Sequence, residues 1–253
     1  MIFISSMIPQ LVYMAKYFFE DRCQGFEGGN RQIRTWVNQF SEELSESVIF
    51  SLRSLCICSP TLTWVSPLQS SHYASVRDCL NAVTLASFSN EWVGFWPIDD
   101  PAWEALAVAE LDNNDPNHGV VLVAAKSHIT ELTSNACRAE GADLKQLKKA
   151  LCLTRQWLGV SDRFEDHWLG TFHQTAARLA FLYFLHTVPK VPTWLVNIYF
   201  MNDPWRPTSI EQWSAFLPDM QWALGLSDTH SEFITEFYLC SEPERLWVKK
   251  CRD

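Results

Sequence analysis

The sequence predicts an α/β or α+β sandwich built on a mixed sheet, and three observations carry that prediction. Helical and strand periodicities alternate along the chain, in the order helix, strands, central strand, helices, strand, helix, strand. One continuous apolar run, Val120 to Ala125, has strand length and suits a central strand covered on both faces. One helical stretch, Phe172 to His186, is apolar nearly all round, which marks a helix buried among other elements. The composition agrees: 253 residues, 47% hydrophobic and 19% charged, with 12 Trp and 16 Phe. That much apolar surface offsets ordering entropy and excludes a disordered, low-complexity or collagen-like chain.

The elements follow in order. Gly25, Gly28, Gly29 and Asn30 form a flexible joint. It divides an unassigned N-terminal segment, residues 1–30, from a single domain over 31–253. From Gln32, apolar residues at Ile33, Trp36, Val37, Phe40, Leu44, Val48 and Leu52 keep helical spacing, predicting one long helix to about Leu55. Thr61 to Val65 reads as a short strand and Tyr73 to Val83 as a helix. After the Pro-bounded stretch Phe95 to Pro101, Trp103 to Leu111 reads as a strand with Glu104, Leu106, Val108 and Glu110 on one face. Asp112 to Gly119 is a turn, and Val120 to Ala125 the buried strand. A helix is expected from about His128, capped by Ser127. Another covers Ala142 to Leu158, with Leu144, Leu147, Leu151 and Leu158 inside and Gly159 as its stop. After the buried helix, ended by Pro189, come a strand from Thr193 to Met201 and a helix to about Leu224. Thr208-x-x-Glu211 looks like that helix's capping box, and Pro218 a place where it breaks. Glu232 to Leu239 is the last strand.

The formal charge is −9, from 20 bases against 29 acids, which excludes a uniformly basic nucleic-acid binder. The acidity is uneven: residues 61–126 hold eight acids and two bases, while 127–189 hold six acids and seven bases. Eight cysteines show no CxxC pair and no Cys/His comb, so a structural zinc site has little support and a reducing cytoplasm is the expected setting. The apolar first nineteen residues lack a basic n-region and are interrupted by Pro9, Gln10 and Lys16, which argues against a secretory signal. No uninterrupted apolar run reaches 18 residues, so no membrane span is expected. There is no GxGxxG, Walker loop, GxSxG elbow or HExxH.

What carries chemistry is a hairpin: an acidic strand with Glu104, a turn, and a buried strand that ends in Lys126. Metal-dependent phosphodiester hydrolysis needs carboxylates to hold Mg²⁺ and a lysine to position the attacking water. Strand residues two apart share a side, so an acid at position 124 would sit beside Lys126 and face Glu104; the residue there is Ala124. Asp99 and Asp100 fit the literal Pro-x-Asp text but belong equally to turn chemistry. His128 reads as a polar residue at a helix start or as part of a site. Gln174 and Arg178, four apart on an apolar helix, share one face and either line the site or form a buried network. Lys145, Lys148 and Lys149 share a helical face that either is solvated or meets phosphates.

Phe95-Trp96-Pro97, Trp103-Glu104-Ala105-Leu106, Val121 to His128 and Gln174-x-x-Ala177-Arg178-Leu179-Ala180 together resemble the PD-(D/E)XK nuclease-like superfamily. More narrowly they resemble an uncharacterised bacterial family within it, whose pattern reads roughly WDAL, then VVLVEAKAH, then YQxANRLA. The likeness covers about Glu91 to Leu239. It implies a restriction-endonuclease-like mixed central sheet flanked by helices. It also implies Mg²⁺ or Mn²⁺ held by Glu104, the residue at position 124 and the backbone carbonyl of Ala125. Lys126 would steer the water, and Gln174 and Arg178 would line the site; the substrate would be DNA or RNA.

The chain departs from that pattern twice. Glu104 stands where the family has aspartate, and Ala124 stands where it has glutamate, which removes a metal ligand. As written, the expected enzyme is inactive, whether Ala124 is an engineered substitution or the mark of a natural pseudo-nuclease. The alternative reading is a non-catalytic interaction module with the same fold, whose acidic surface suits a protein partner better than bare DNA.

Overall fold

The computed structural model describes residues 28–53, 61–68, 75–82, 85–110, 118–134, 136–226 and 232–241. The expected N-terminal segment up to residue 27 and the expected turn from residue 112 up to 117 lie outside the described residues, and the last two residues of that turn, His118 and Gly119, are strand instead. The chain is mixed α/β: a five-stranded sheet in the order β1 (Thr61–Ser66), β2 (Ala105–Glu110), β3 (His118–Lys126), β4 (Thr193–Met201) and β5 (Ile234–Cys240). The first three strands are antiparallel neighbours, and β4 and β5 continue the sheet parallel to β3. Parallel neighbours need crossover connections, and helices supply them. Between β3 and β4 run α5 (Gly141–Leu158), α6 (Glu165–Leu169) and α7 (His173–Thr187); between β4 and β5 runs α8 (Ile210–Leu224).

Alternation along the strands sends side chains to two cores. Leu106, Val120, Leu122, Ala124, Leu195 and Tyr199 face α5, α7 and α8. Ala105, Ala107, Val121, Val123, Ala125 and Val196 face α1 (Gly29–Gln39) and α2 (Ser41–Arg53). β3 is thus buried on both faces, as its unbroken apolar run predicts. The short helices α3 (Val76–Ala82) and α4 (Ser89–Phe95) lie before β2. Among the described residues no helix is long and apolar enough to cross a membrane.

The long helix expected from Gln32 to about Leu55 is two helices. They break at Phe40, whose φ of −135° and ψ of 40° leave the helical region. No glycine or proline marks that break. Both pieces keep their inward stripes, with Ile33, Trp36 and Val37 on α1 and Leu44, Val48 and Leu52 on α2 all buried, so periodicity alone does not reveal it. The helix expected at His128 is a single 3₁₀ turn, Ile129–Glu131, capped by the His128 side chain and not by Ser127. The capping box of α8 is formed by Ser209 and Gln212, one residue later than the expected Thr208 and Glu211. Pro218 does not break α8: it lies on the exposed face, while Trp213, Leu217, Met220 and Leu224 hold the helix to the sheet. Gly159 ends α5 as expected, in the left-handed conformation at φ 73°.

Candidate functional site

Three elements bring the site together. In the β2–β3 ladder Ala105 pairs with Val123 and Leu106 with Leu122. One further step of that register sets Glu104 opposite Ala124. Glu104 therefore lies just ahead of β2 rather than inside a strand that starts at Trp103; its backbone N–H donates to the Val123 carbonyl at 3.2 Å. Lys126 is the last residue of β3 and points to the same side as Ala124. α7 lies across this face and contributes Arg178.

The three charged side chains form one buried cluster. Glu104, Lys126 and Arg178 are 5%, 6% and 5% exposed. Lys126 Nζ donates to Glu104 Oε1 at 2.5 Å, and Arg178 Nη2 donates to the same oxygen at 2.8 Å. Arg178 also donates through Nε and Nη2 to the Ala102 carbonyl, both at 3.3 Å. Burial by itself would raise the Glu104 carboxyl, but Arg178 and Lys126 outweigh it and hold it below the ordinary value. Burial lowers the Lys126 ammonium; Glu104 opposes that shift and Arg178 adds to it, and the net direction is downward. Burial, with the neighbouring guanidinium, thus outweighs the direct ion pair and the more distant Glu131.

The cluster sits at the floor of a cleft of about 1130 Å³. Glu104, Lys126, Gln174, Ala177 and Arg178 line it, whereas Ala124 is not among its lining residues and packs in the core. Gln174 is exposed in the cleft, so only Arg178 of that pair enters the buried network. Asp99 and Asp100 also line the cleft, on a loop fixed by tryptophans. Trp92 Nε1 donates to Asp100 Oδ1 at 2.7 Å, and Trp96 Nε1 donates to the Asp99 carbonyl at 3.1 Å. His128 does not line the cleft; its Nδ1 accepts from the Thr130 N–H at 3.1 Å. Of the lysine face on α5, Lys148 pairs with Glu165 at 2.7 Å, and none of the three lysines lines the cleft.

Of the cleft residues that the sequence does not single out, three are tied into the surrounding fold. Glu131 accepts from the Gly29 N–H at 3.0 Å and from the Ser127 hydroxyl at 3.0 Å, tying α1 to the end of β3. Asp203 accepts from Gln32 Nε2 at 2.7 Å and from the Trp205 N–H at 2.8 Å. His173 stacks on Trp96 and makes a 3.2 Å bond from Nδ1 to the Trp168 carbonyl; a carbonyl only accepts, so Nδ1 carries the proton. No local motif announces any of them. Each owes its place to a loop or helix start that the sheet brings to the cleft.

The residues present do not fit a divalent cation. A hard cation needs several oxygen ligands. Here one carboxylate faces an alanine, and its Oε1 is held by two cations. Its Oε2 is buried without a hydrogen-bond partner. The Ala125 carbonyl lies against Gly29, where an added Cβ would collide with it, so α1 covers it. Among the described residues no three His, Cys, Asp or Glu side chains converge on a metal position. Comparisons with protein-family models, curated proteins and solved structures find no match to this chain.

Proposed function

We propose that this chain is a PD-(D/E)XK nuclease-like protein with a restriction-endonuclease-like fold, whose phosphodiester-cleaving site is incomplete because alanine stands at position 124. The observation that carries this reading is the charge balance of the cluster. Two buried cations, Lys126 and Arg178, share one carboxylate, and the strand register sets Ala124 directly across from that carboxylate. A glutamate at 124 would make the cluster neutral and place two carboxylates face to face beside a lysine. The mixed sheet with helices on both faces, and the sequence likeness around Glu104, Lys126 and Arg178, support the same reading. As written, the chain lacks the ligands for Mg²⁺ or Mn²⁺ and does not hydrolyse nucleic acid.

The test is restoration. The Ala124→Glu protein is expected to cleave DNA or RNA with Mg²⁺ or Mn²⁺, and Lys126→Ala in that background to abolish cleavage. A folded Ala124→Glu protein inert on single- and double-stranded DNA and RNA with both metals would overturn the reading.

A second reading, a non-catalytic interaction module on the same fold, is favoured by the cleft's lining of seven acidic and four basic side chains. That balance suits a protein partner rather than a bare phosphate backbone. In either case we place the protein in a reducing cytoplasm, a setting supported by Cys79, which packs in the core as a small hydrophobe.

A further inference from the structure

The floor of the cleft holds donors that the protein does not use, beside one unused acceptor, Glu104 Oε2. Lys126 Nζ carries three N–H groups, and its one acceptor among the described residues is Glu104 Oε1. Arg178 directs Nε and Nη2 to Ala102 and Glu104, while its Nη1 makes no hydrogen bond among the described residues. Both side chains line the cleft and both are more than nine-tenths buried. Buried ammonium and guanidinium donors stand at a large desolvation cost unless acceptors meet them.

The nearby negative groups do not meet them. Glu131 acts on Lys126 through space, but its oxygens are already held by Gly29 and Ser127. Beyond Arg178, Tyr199 donates to Glu236 at 3.4 Å, and burial raises that carboxyl above its ordinary value. At contact distance, then, two cations share the single carboxylate of Glu104, with Glu131 acting only through space, while the exposed lining carries Asp99, Asp100, Glu140 and Asp143 against Arg138 and Arg206. Two cations with free donors, set inside a lining where acids outnumber bases, select for size as well as sign. One compact anion can reach the floor, and a polyanion is repelled at the rim.

We propose that the chain as written binds a small carboxylate at this floor, seated on Lys126 Nζ and Arg178 Nη1, where it supplies from outside the charge that position 124 lacks. The inference rests on the reading of this site as a nuclease-like one missing its second carboxylate. It changes what the site takes: a compact monoanion in place of a nucleic acid.

The probe is acetate, with acetamide as its uncharged counterpart, at constant pH and at ionic strength matched with sodium chloride. Acetate is expected to raise the thermal midpoint saturably, by about 3 °C at tenfold excess over its dissociation constant, and acetamide to leave it unmoved. Saturation-transfer NMR of the acetate methyl reads the same binding without unfolding the protein. Ala124→Glu, which supplies the carboxylate internally, is expected to abolish binding. Lys126→Gln removes the cation without adding volume and serves as the second variant, with at least a tenfold loss expected.

Equal responses to acetate and acetamide would overturn the inference, as would acetate binding that survives in both variants. Cleavage assays on Ala124→Glu are separate. Acetate binding to the chain as written, with no cleavage by the folded Ala124→Glu protein, would sink the nuclease reading and leave the anion site. Cleavage without acetate binding would do the reverse.

Discussion

At the scale of single residues, Glu104 is the hinge of the site. It neutralises one of two buried cations, and truncating one partner of a buried charge cluster exposes the cost of the others. Glu104→Gln leaves Lys126 and Arg178 with no full counter-charge, so we expect a loss of about 3–5 kcal/mol in urea denaturation. The pH dependence has a definite sign. Glu104 is lowered in the fold from an ordinary 4.5. Its contribution is therefore fully present above that value and is lost as pH falls through the lower folded one. Lys126 is lowered from an ordinary 10.5. Between its folded value and 10.5 the unfolded chain binds more protons than the native one, so stability rises with pH across that window. Urea midpoints measured through the alkaline range should show this rise, and Lys126→Met should flatten it; a rise unchanged in Lys126→Met would assign it to another group. The sequence exposed part of this cluster. Glu104, Ala124 and Lys126 follow from strand alternation, which is local. The Arg178 contact spans 74 residues, and only the crossing of α7 over the sheet makes it, so helical spacing could pair Arg178 with Gln174 but could not find its carboxylate.

At the scale of elements, the end of β3 is positioned from the side of α1. Gly29 opens α1 directly against the Ala125 backbone, and a Cβ there would collide with that carbonyl and with Lys126 Cα at 2.7 Å. Backbone cannot rotate away as a side-chain tip can, so Gly29→Ala must displace α1 or the strand end. Overpacking of this kind costs about 1–3 kcal/mol. Because Lys126 is the next residue, the variant should lose acetate binding more than its global stability loss explains. Gly119→Ala offers the comparison, since its Cβ would meet the Trp194 ring, at the far end of β3 from Lys126. Equal effects of the two variants on acetate binding would show that α1 does not position the lysine. The sequence marked Gly29 only as part of a flexible joint. What it could not supply was the neighbour, because the close approach is between segments almost a hundred residues apart. The same limit explains the break at Phe40 and the intact helix around Pro218. In both, inward packing of Trp36 and Leu44, or of Trp213 and Leu217, decides the outcome over local propensity.

At the scale of the whole molecule, the fold class was legible because it depends on pattern: alternating periodicities, one strand buried on both faces and one helix buried all round. Charge was legible in amount but not in arrangement. The sequence located the acidity in residues 61–126. The structure brings three of those acids to the cleft, Asp99 and Asp100 at its exposed lining and Glu104 at a floor where Lys126 and Arg178 outnumber it, and leaves Asp78, Glu91 and Glu110 outside it. That arrangement determines how the molecule meets nucleic acid. A phosphate backbone gains affinity by neutralisation with Lys and Arg and the release of counterions. A chain of net charge −9, whose cleft presents seven acids to four bases, offers little of either. In metal-free buffer at about 0.1 M salt, the chain as written should bind single- and double-stranded oligonucleotides more weakly than about 10⁻⁴ M, the weak end of non-specific binding. Ala124→Glu adds one more negative charge, so its metal-free affinity should fall further. Mg²⁺ should then strengthen it, because the second carboxylate makes the floor a place for a cation and the cation a place for a phosphate. Mobility-shift titrations with both proteins, with and without Mg²⁺, check this. Tight metal-free binding by the chain as written, falling steeply with salt, would mean that a basic surface outside the cleft governs recognition.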